Sequence, residues 1–312
     1  MKSLKSWQSW FKAALSGHDD AISRILTLIE RGEEDSEFFQ KIYQNDFQIY
    51  TIAITGPTGV GKSSLVAHLA EPLADHQYLG IIAMDPRSSI SGGAFLGDRI
   101  RLGDKADHPR IFFRSFAPKT SPFSGYLIAK TMARAFGAFG FGCVLIETLG
   151  AGQSEWPIQH LADTTVLVLS PESGDEIQMM KRGLVEWADI FVINKADRPG
   201  AKQLEAALAR ELQNRPDGSG WKPPVLMTVA QNGEGVEKLV EGIKRHHQFL
   251  KITGKIEENR LRNQSLECML WALSMTWNRL SKTRPLSQKE IFKNPHQEAQ
   301  KLLKEVFHER KK

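Results

Sequence analysis

Gly56-Pro57-Thr58-Gly59-Val60-Gly61-Lys62-Ser63-Ser64 decides the fold of this 312-residue chain. The stretch fits G-x-x-x-x-G-K-[ST] in full, between an apolar run, Ile52-Ala53-Ile54, and a helical segment, Leu65 to Leu69. Glycines let consecutive backbone N–H groups curl around phosphate oxygens, and the following helix N-terminus adds partial positive charge. Lys62 is placed to bridge terminal phosphates, and the Ser63 hydroxyl to coordinate Mg²⁺. An ordinary glycine turn between strand and helix would require neither side chain.

Short apolar runs ending in turn residues continue outward from this loop. They are Tyr50–Thr55, Leu79–Met84, Ile111–Phe116, Cys143–Glu147, Thr165–Leu169, Ile190–Asn194 and Val225–Val229. Segments of helical length separate most of them, the pattern of a sheet covered on both faces. The fold class expected is α/β: a P-loop NTPase with a mostly parallel central sheet flanked by helices. That domain spans 47–250. Before it, Leu4, Trp7, Phe11 and Leu15, then Ile22, Ile25, Leu26 and Ile29, fall at helical spacing, with Asp19 or Asp20 as candidate cap. Residues 1–46 therefore read as an N-terminal helical extension. After Gly254 a charged helical arm, 251–312, carries an apolar stripe of Leu261, Leu266, Met269, Leu270, Leu273 and Trp277.

Asn194-Lys195-Ala196-Asp197 ends a later strand. An Asp carboxylate accepts two hydrogen bonds from the N1–H and N2–H₂ edge of guanine, a donor pair that adenine lacks, so GTP is favoured over ATP. Asn194 is positioned for N7 and for tying this loop to the phosphate loop, while the Lys195 stem covers the base. Backbone amides of Val229-Ala230-Gln231, at the end of the next strand, are placed to meet the guanine O6.

Carboxylates also stand at strand ends on the expected nucleotide edge. Asp85 follows the second strand, Glu147 ends Val144-Leu145-Ile146, and Asp98 lies between them in a glycine-rich segment. They are candidates to hold Mg²⁺ directly or through water, or to position an attacking water; the alternative is solvated loop acids. Glu147-Thr148-Leu149-Gly150 occupies the place of D-x-x-G, with Gly150 set to sense the γ-phosphate. Gln153 stands three residues after Gly150 rather than directly after it, which points to slow intrinsic turnover.

Net charge had to be located before it meant anything. The whole chain has 41 Lys+Arg against 36 Asp+Glu, and residues 251–312 hold 14 against 7, leaving 27 against 29 in the rest. The basic excess of the arm comes without any RNA-module signature, so neither nucleic acid nor a membrane is an expected partner. The two cysteines, Cys143 and Cys268, stand in no metal-ligand spacing and fit a reducing compartment. The longest apolar stretch, Ala135 to Ile146, is broken by Gly137, Gly140 and Gly142, and a spanning helix needs about 20 residues. A cytoplasmic protein is expected.

Together these motifs resemble the cobalamin-mutase-associated G proteins of the MeaB type, in the metallochaperone-like branch of P-loop GTPases. The matching segments are Gly56–Ser64, Met84-Asp85-Pro86 through Ser89, Ser91 through Asp98, Glu147 through Glu155, Asp163 through Leu169, Gly174-Asp175-Glu176-Ile177-Gln178, and Asn194–Asp197. The resemblance implies GTP hydrolysis, with GTP/GDP and Mg²⁺ as cofactors. It also implies a cobalamin-dependent acyl-CoA mutase as partner, whose cofactor loading is gated and which is protected or reactivated. Read from the residues themselves, the candidate catalytic set is Lys62, Asp98, Glu147 and Gln153, and the candidate metal set Ser63, Asp85, Asp98 and Glu147. The resemblance implies that Asp175, Glu176, Gln178 and Lys181 belong to a switch, beside Gly150, and that the chain forms a homodimer through C-terminal helices. Departures from the family pattern are Trp156-Pro157, where proline fixes φ, Arg87, and the run Ala117 to Tyr126.

Other function classes are a nickel-type metal-insertion GTPase and a small-molecule kinase or transport-linked ATPase. The first needs Cys or His clusters, whereas His246-His247 reads as solvent-facing surface near a helix end. Guanine selectivity argues against the second.

Overall fold

The computed structural model describes residues 7–32, 36–44, 49–85, 108–117, 124–149, 160–172, 187–213 and 220–283. Seven strands form one sheet: β1 (Tyr50–Thr55), β2 (Leu79–Met84), β3 (Ile111–Phe116), β4 (Cys143–Glu147), β5 (Thr164–Leu169), β6 (Ile190–Ile193) and β7 (Val225–Met227). Their order is β3-β2-β4-β1-β5-β6-β7, and every pairing is parallel. The central strands are apolar on both faces because both are covered. Side-chain alternation divides them cleanly. Ile52, Ile54, Leu145, Val166, Val168, Ile190 and Val192 face one core, while Ala53, Val144 and Ile146 face another. Phe191 and Ile193 turn to a third cluster beside α6 (Ala201–Gln213).

Two helices, α4 (Lys62–Ala74) and α7 (Val236–Ile252), cover the first face through Leu65, Leu69, Leu239 and Ile243. The opposite face takes α5 (Ser124–Ala138) together with α1 (Trp7–Leu15), α2 (Asp19–Arg31) and α3 (Ser36–Tyr43). Ile22, Ile25, Leu26 and Ile29 of α2 are buried there, as their spacing predicts. Asp19 and Asp20 do not cap α2: His18 holds the N-cap position, and both acids lie in the first turn, where they complement the helix dipole. Gly32 ends the helix at φ 60, donating its N–H to the Leu28 carbonyl.

The last described helix, α8 (Lys255–Thr283), runs against α5 and α7. The face it turns inward is Ile256, Asn263, Glu267, Leu270 and Ser274. Most of the apolar stripe lies on the other face and is exposed: Leu261 at 66%, Met269 at 59%, Leu273 at 49% and Trp277 at 47%. The inward polar residues are satisfied by partners on other elements. Glu267 accepts from Tyr43 Oη at 2.5 Å and from Arg134 at 3.2 Å, and His160 Nδ1 pairs with Asn263 Oδ1 at 2.7 Å.

His246 and His247 also depart from expectation. His246 is only 2% exposed, with Nδ1 2.7 Å from Thr164 Oγ1 and Nε2 3.5 Å from Asp189 Oδ1. His247 stacks on Tyr50 at 3.7 Å between ring centroids. Both turn inward because α7 lies across the starts of β1, β5 and β6, where Tyr50, Thr164 and Asp189 offer polar and aromatic partners. Among the described residues, no helix is long and apolar enough to cross a membrane.

Candidate functional site

The carboxyl ends of β1, β5, β6 and β7 converge on one crevice, the usual ligand position in a parallel sheet. From β1 the chain enters the phosphate loop through Gly56, at φ 145. A Cβ there would lie 2.0 Å from the Val168 carbonyl oxygen, so only glycine lets the loop pass this close to β5. Gly61, at φ 94, is the N-cap of α4, whose first residue is Lys62. Buried at 8% exposure, Lys62 donates from Nζ to the Gly56 and Pro57 carbonyls at 3.0 and 2.8 Å. Burial lowers the pKa of its ammonium, and the Glu147 carboxylate opposes that shift.

Ser63 Oγ donates to Glu147 Oε1 at 2.5 Å, joining the start of α4 to the end of β4. Glu147 is buried, and the next residue, Thr148, donates from its hydroxyl to Thr55 Oγ1 at 3.0 Å and from its backbone to the Ile54 carbonyl. Half-buried Asp85 follows β2, its N–H bonded to the Phe116 carbonyl at 2.8 Å. The candidates Asp98, Gly150, Gln153, Asp175, Glu176, Gln178 and Lys181 lie outside the described residues, as do Arg87 and Trp156-Pro157.

Across the crevice, Asn194 is 2% exposed and its side chain makes three bonds to other described residues. Its Nδ2 donates to the Val60 carbonyl at 2.8 Å, while Oδ1 accepts from the Ala230 N–H at 2.9 Å and from Thr228 Oγ1 at 3.1 Å. One side chain thus ties the phosphate loop, the β6 end and the β7 end together. Lys195 follows in the left-handed region at φ 57, and its Nζ reaches Glu172 at 2.8 Å. The turn after β7 is closed by Val229 N–H to the Glu234 carbonyl at 3.0 Å and by Gly235, whose Cβ position would be 2.1 Å from the Met227 carbonyl oxygen.

Gly59, Gly61, Ser64, Asn194, Lys195, Asp197, Arg198, Val229, Ala230 and Gln231 line a cleft of about 260 Å³. Every residue expected at the base lines it. Thr228, Arg198 and Glu172 went unrecognised in the sequence. Arg198 adjoins Asp197 and was open to notice, whereas Thr228 and Glu172 reach the site only through the folding of two separate strand ends.

The family description "Methylmalonyl Co-A mutase-associated GTPase MeaB" matches residues 22–287. A relative from Pyrococcus abyssi, named "Putative GTPase", is 37% identical over 306 residues, covering 93% of this chain and 94% of the relative. A Caenorhabditis briggsae protein named "Methylmalonic aciduria type A homolog, mitochondrial" is 30% identical over 332 residues, 96% of this chain and 78% of the relative. The crystal structure of an LAO/AO transport system kinase superposes with a TM-score of 0.71 over 98% of this chain and 99% of that one, at 20% identity, a likeness of fold alone. With the phosphate loop, the Asn194–Asp197 motif and the parallel sheet all in place, the chain belongs to the MeaB family of methylmalonyl-CoA mutase-associated GTPases.

Proposed function

We propose that this GTPase binds GTP and GDP with Mg²⁺ in the crevice described. It would use the cycle of hydrolysis to gate cofactor loading and to protect or reactivate a cobalamin-dependent acyl-CoA mutase in the cytoplasm. The observation that carries the nucleotide reading is the threefold bonding of Asn194, which joins the glycine-rich loop before α4 to the cleft lined by Lys195, Asp197 and Ala230. In this reading Asp197 accepts from the guanine N1–H and N2–H₂, Lys195 covers the base, and the Ala230 region meets O6. Lys62 turns from the loop carbonyls to the phosphates.

Mg²⁺ suits the hard oxygen donors at the phosphate end. Ser63 and Glu147 would hold it directly or through water, with Asp85 beside them; the ion would neutralise charge developing on the γ-phosphate. Asp98 and Gln153 remain candidates for positioning water, and Gly150, Asp175, Glu176, Gln178 and Lys181 for relaying nucleotide state. The mutase partner is supported by the family and by the methylmalonic aciduria type A homologues. A homodimer is supported by the exposed apolar residues of α8. The nickel-insertion alternative finds no group of three or more metal-ligating side chains among the described residues.

Calorimetric titration with GDP and ADP tests the base reading: GDP should bind far more tightly, and equal affinities would sink it. Co-purification with cobalamin-dependent mutases, in GDP and in a non-hydrolysable GTP analogue, tests the partner; absence of binding in both states would remove it.

A further inference from the structure

Glu172 stands just past the end of β5 and faces the two cations of the base-side loop. Its Oε2 accepts from Lys195 Nζ at 2.8 Å, and its Oε1 lies 3.5 Å from Arg198 Nε. The same Arg198 Nε is 3.7 Å from Asp197 Oδ2. One guanidinium is therefore shared almost equally between two carboxylates. Of the two, Asp197 lines the cleft and Glu172 does not.

Charge counting makes the arrangement purposeful. Lys195, Asp197 and Arg198 together carry one net positive charge, and Glu172 neutralises it. The Lys195 hydrogen bond, with the Lys195 and Arg198 charges, holds the Glu172 carboxyl below the usual carboxylate range. Were Glu172 uncharged, Arg198 would have Asp197 as its adjacent carboxylate, and guanidinium–carboxylate pairs favour the forked, two-bond geometry. An Asp197 held in such a fork has fewer lone pairs to offer two N–H donors on a base.

We propose that Glu172 is a positioning residue for base selection: as counter-ion to Lys195 and Arg198, it keeps Arg198 from closing on Asp197 and leaves that carboxylate to the guanine edge. The proposal rests on the guanine reading of the cleft. All four side chains are substantially exposed, so the effect is modest and sensitive to salt.

The test uses the full chain and its variants E172Q and E172Q/R198Q, titrated with GDP, IDP and ADP at low ionic strength. IDP lacks the 2-amino group and so reports the N2 half of the Asp197 contact. E172Q should lower the GDP-over-IDP affinity ratio about three- to fivefold, without weakening ADP and without moving the melting temperature. Adding R198Q should bring the ratio back to within about twofold of wild type, because the competing cation is gone. An unchanged ratio in E172Q, or no recovery in the double variant, overturns the role of Glu172. A wild-type chain that binds all three nucleotides equally would instead remove the guanine reading itself.

Discussion

Asn194 Nδ2 donates to the Val60 carbonyl at 2.8 Å while its Oδ1 accepts from the Ala230 N–H at 2.9 Å, so the glycine-rich loop before α4 and the ends of β6 and β7 are held by one amide. Both donors and acceptors are buried, and leaving them unmatched costs about 1–3 kcal/mol per group. Asn194→Ala should therefore weaken GDP binding at least tenfold and lower the melting temperature. Asn194→Asp keeps the acceptor but sets a carboxylate against the Val60 carbonyl, and should bind GDP no better than the alanine variant. Titration calorimetry beside thermal melts checks both; a variant with wild-type affinity would mean that the two loops are ordered independently.

Much of this was legible in the sequence, for physical reasons. Phosphate loops and fully buried parallel strands are local patterns: glycine spacing and continuous apolar runs hold wherever the segments end up. Gly56 and Lys62 could thus be assigned from neighbours alone. Packing partners on distant segments left no such mark. His246 reads as solvent-facing until Thr164 and Asp189 are brought beside it, and the polar inward face of α8 leaves no mark in the sequence because Glu267 and Asn263 find Tyr43, Arg134 and His160 only in the folded chain.

Gly61 is constrained twice. Its φ of 94 lies in the left-handed region, and a Cβ would sit 2.3 Å from Asn194 Nδ2. Gly61→Ala should push Asn194 off the Val60 carbonyl and cost more than tenfold in GDP affinity. Far-UV circular dichroism should stay unchanged, since α4 keeps its packing. Retained affinity would show that the Asn194 amide can swing without consequence.

The bond from Ser63 Oγ to Glu147 Oε1 sets a buried carboxylate beside the start of α4, the position that the proposed Mg²⁺ reading gives to the ion's ligands. Glu147→Gln keeps the size and loses the charge. Steady-state phosphate release should fall more than tenfold, equivalent to about 1.4 kcal/mol or more of transition-state stabilisation. GDP affinity without Mg²⁺ should stay within about threefold. A variant whose turnover and Mg²⁺ dependence match wild type would exclude Glu147 from the metal end of the site.

Burial pushes the His246 pKa down from 6.5 to about 4, with the neighbouring His247 adding to the shift. The unfolded chain therefore takes up this proton at a higher pH than the folded one. Above pH 6.5 the group contributes no pH dependence. As pH falls from 6.5 to 4, it removes stability at up to about 1.4 kcal/mol per pH unit. Urea midpoints measured from pH 7.5 to 4.5 should fall accordingly. His246→Asn, whose amide can still meet the Thr164 hydroxyl, should flatten that fall; an identical profile would place the acid lability elsewhere.

Met269 and Leu273 stand one helical turn apart on α8, 59% and 49% exposed, on a helix whose inner face is already satisfied by Glu267 and Leu270. A contiguous exposed apolar stripe is costly in water, and a two-fold contact between copies covers it symmetrically. Met269→Glu with Leu273→Glu would put four carboxylates into such a contact. Light scattering should then report a dimer for the wild type and a monomer for the double variant. Melting temperature at low protein concentration and GDP affinity should be retained, because neither residue touches the nucleotide crevice. A double variant that remains dimeric would move the contact away from this face of α8.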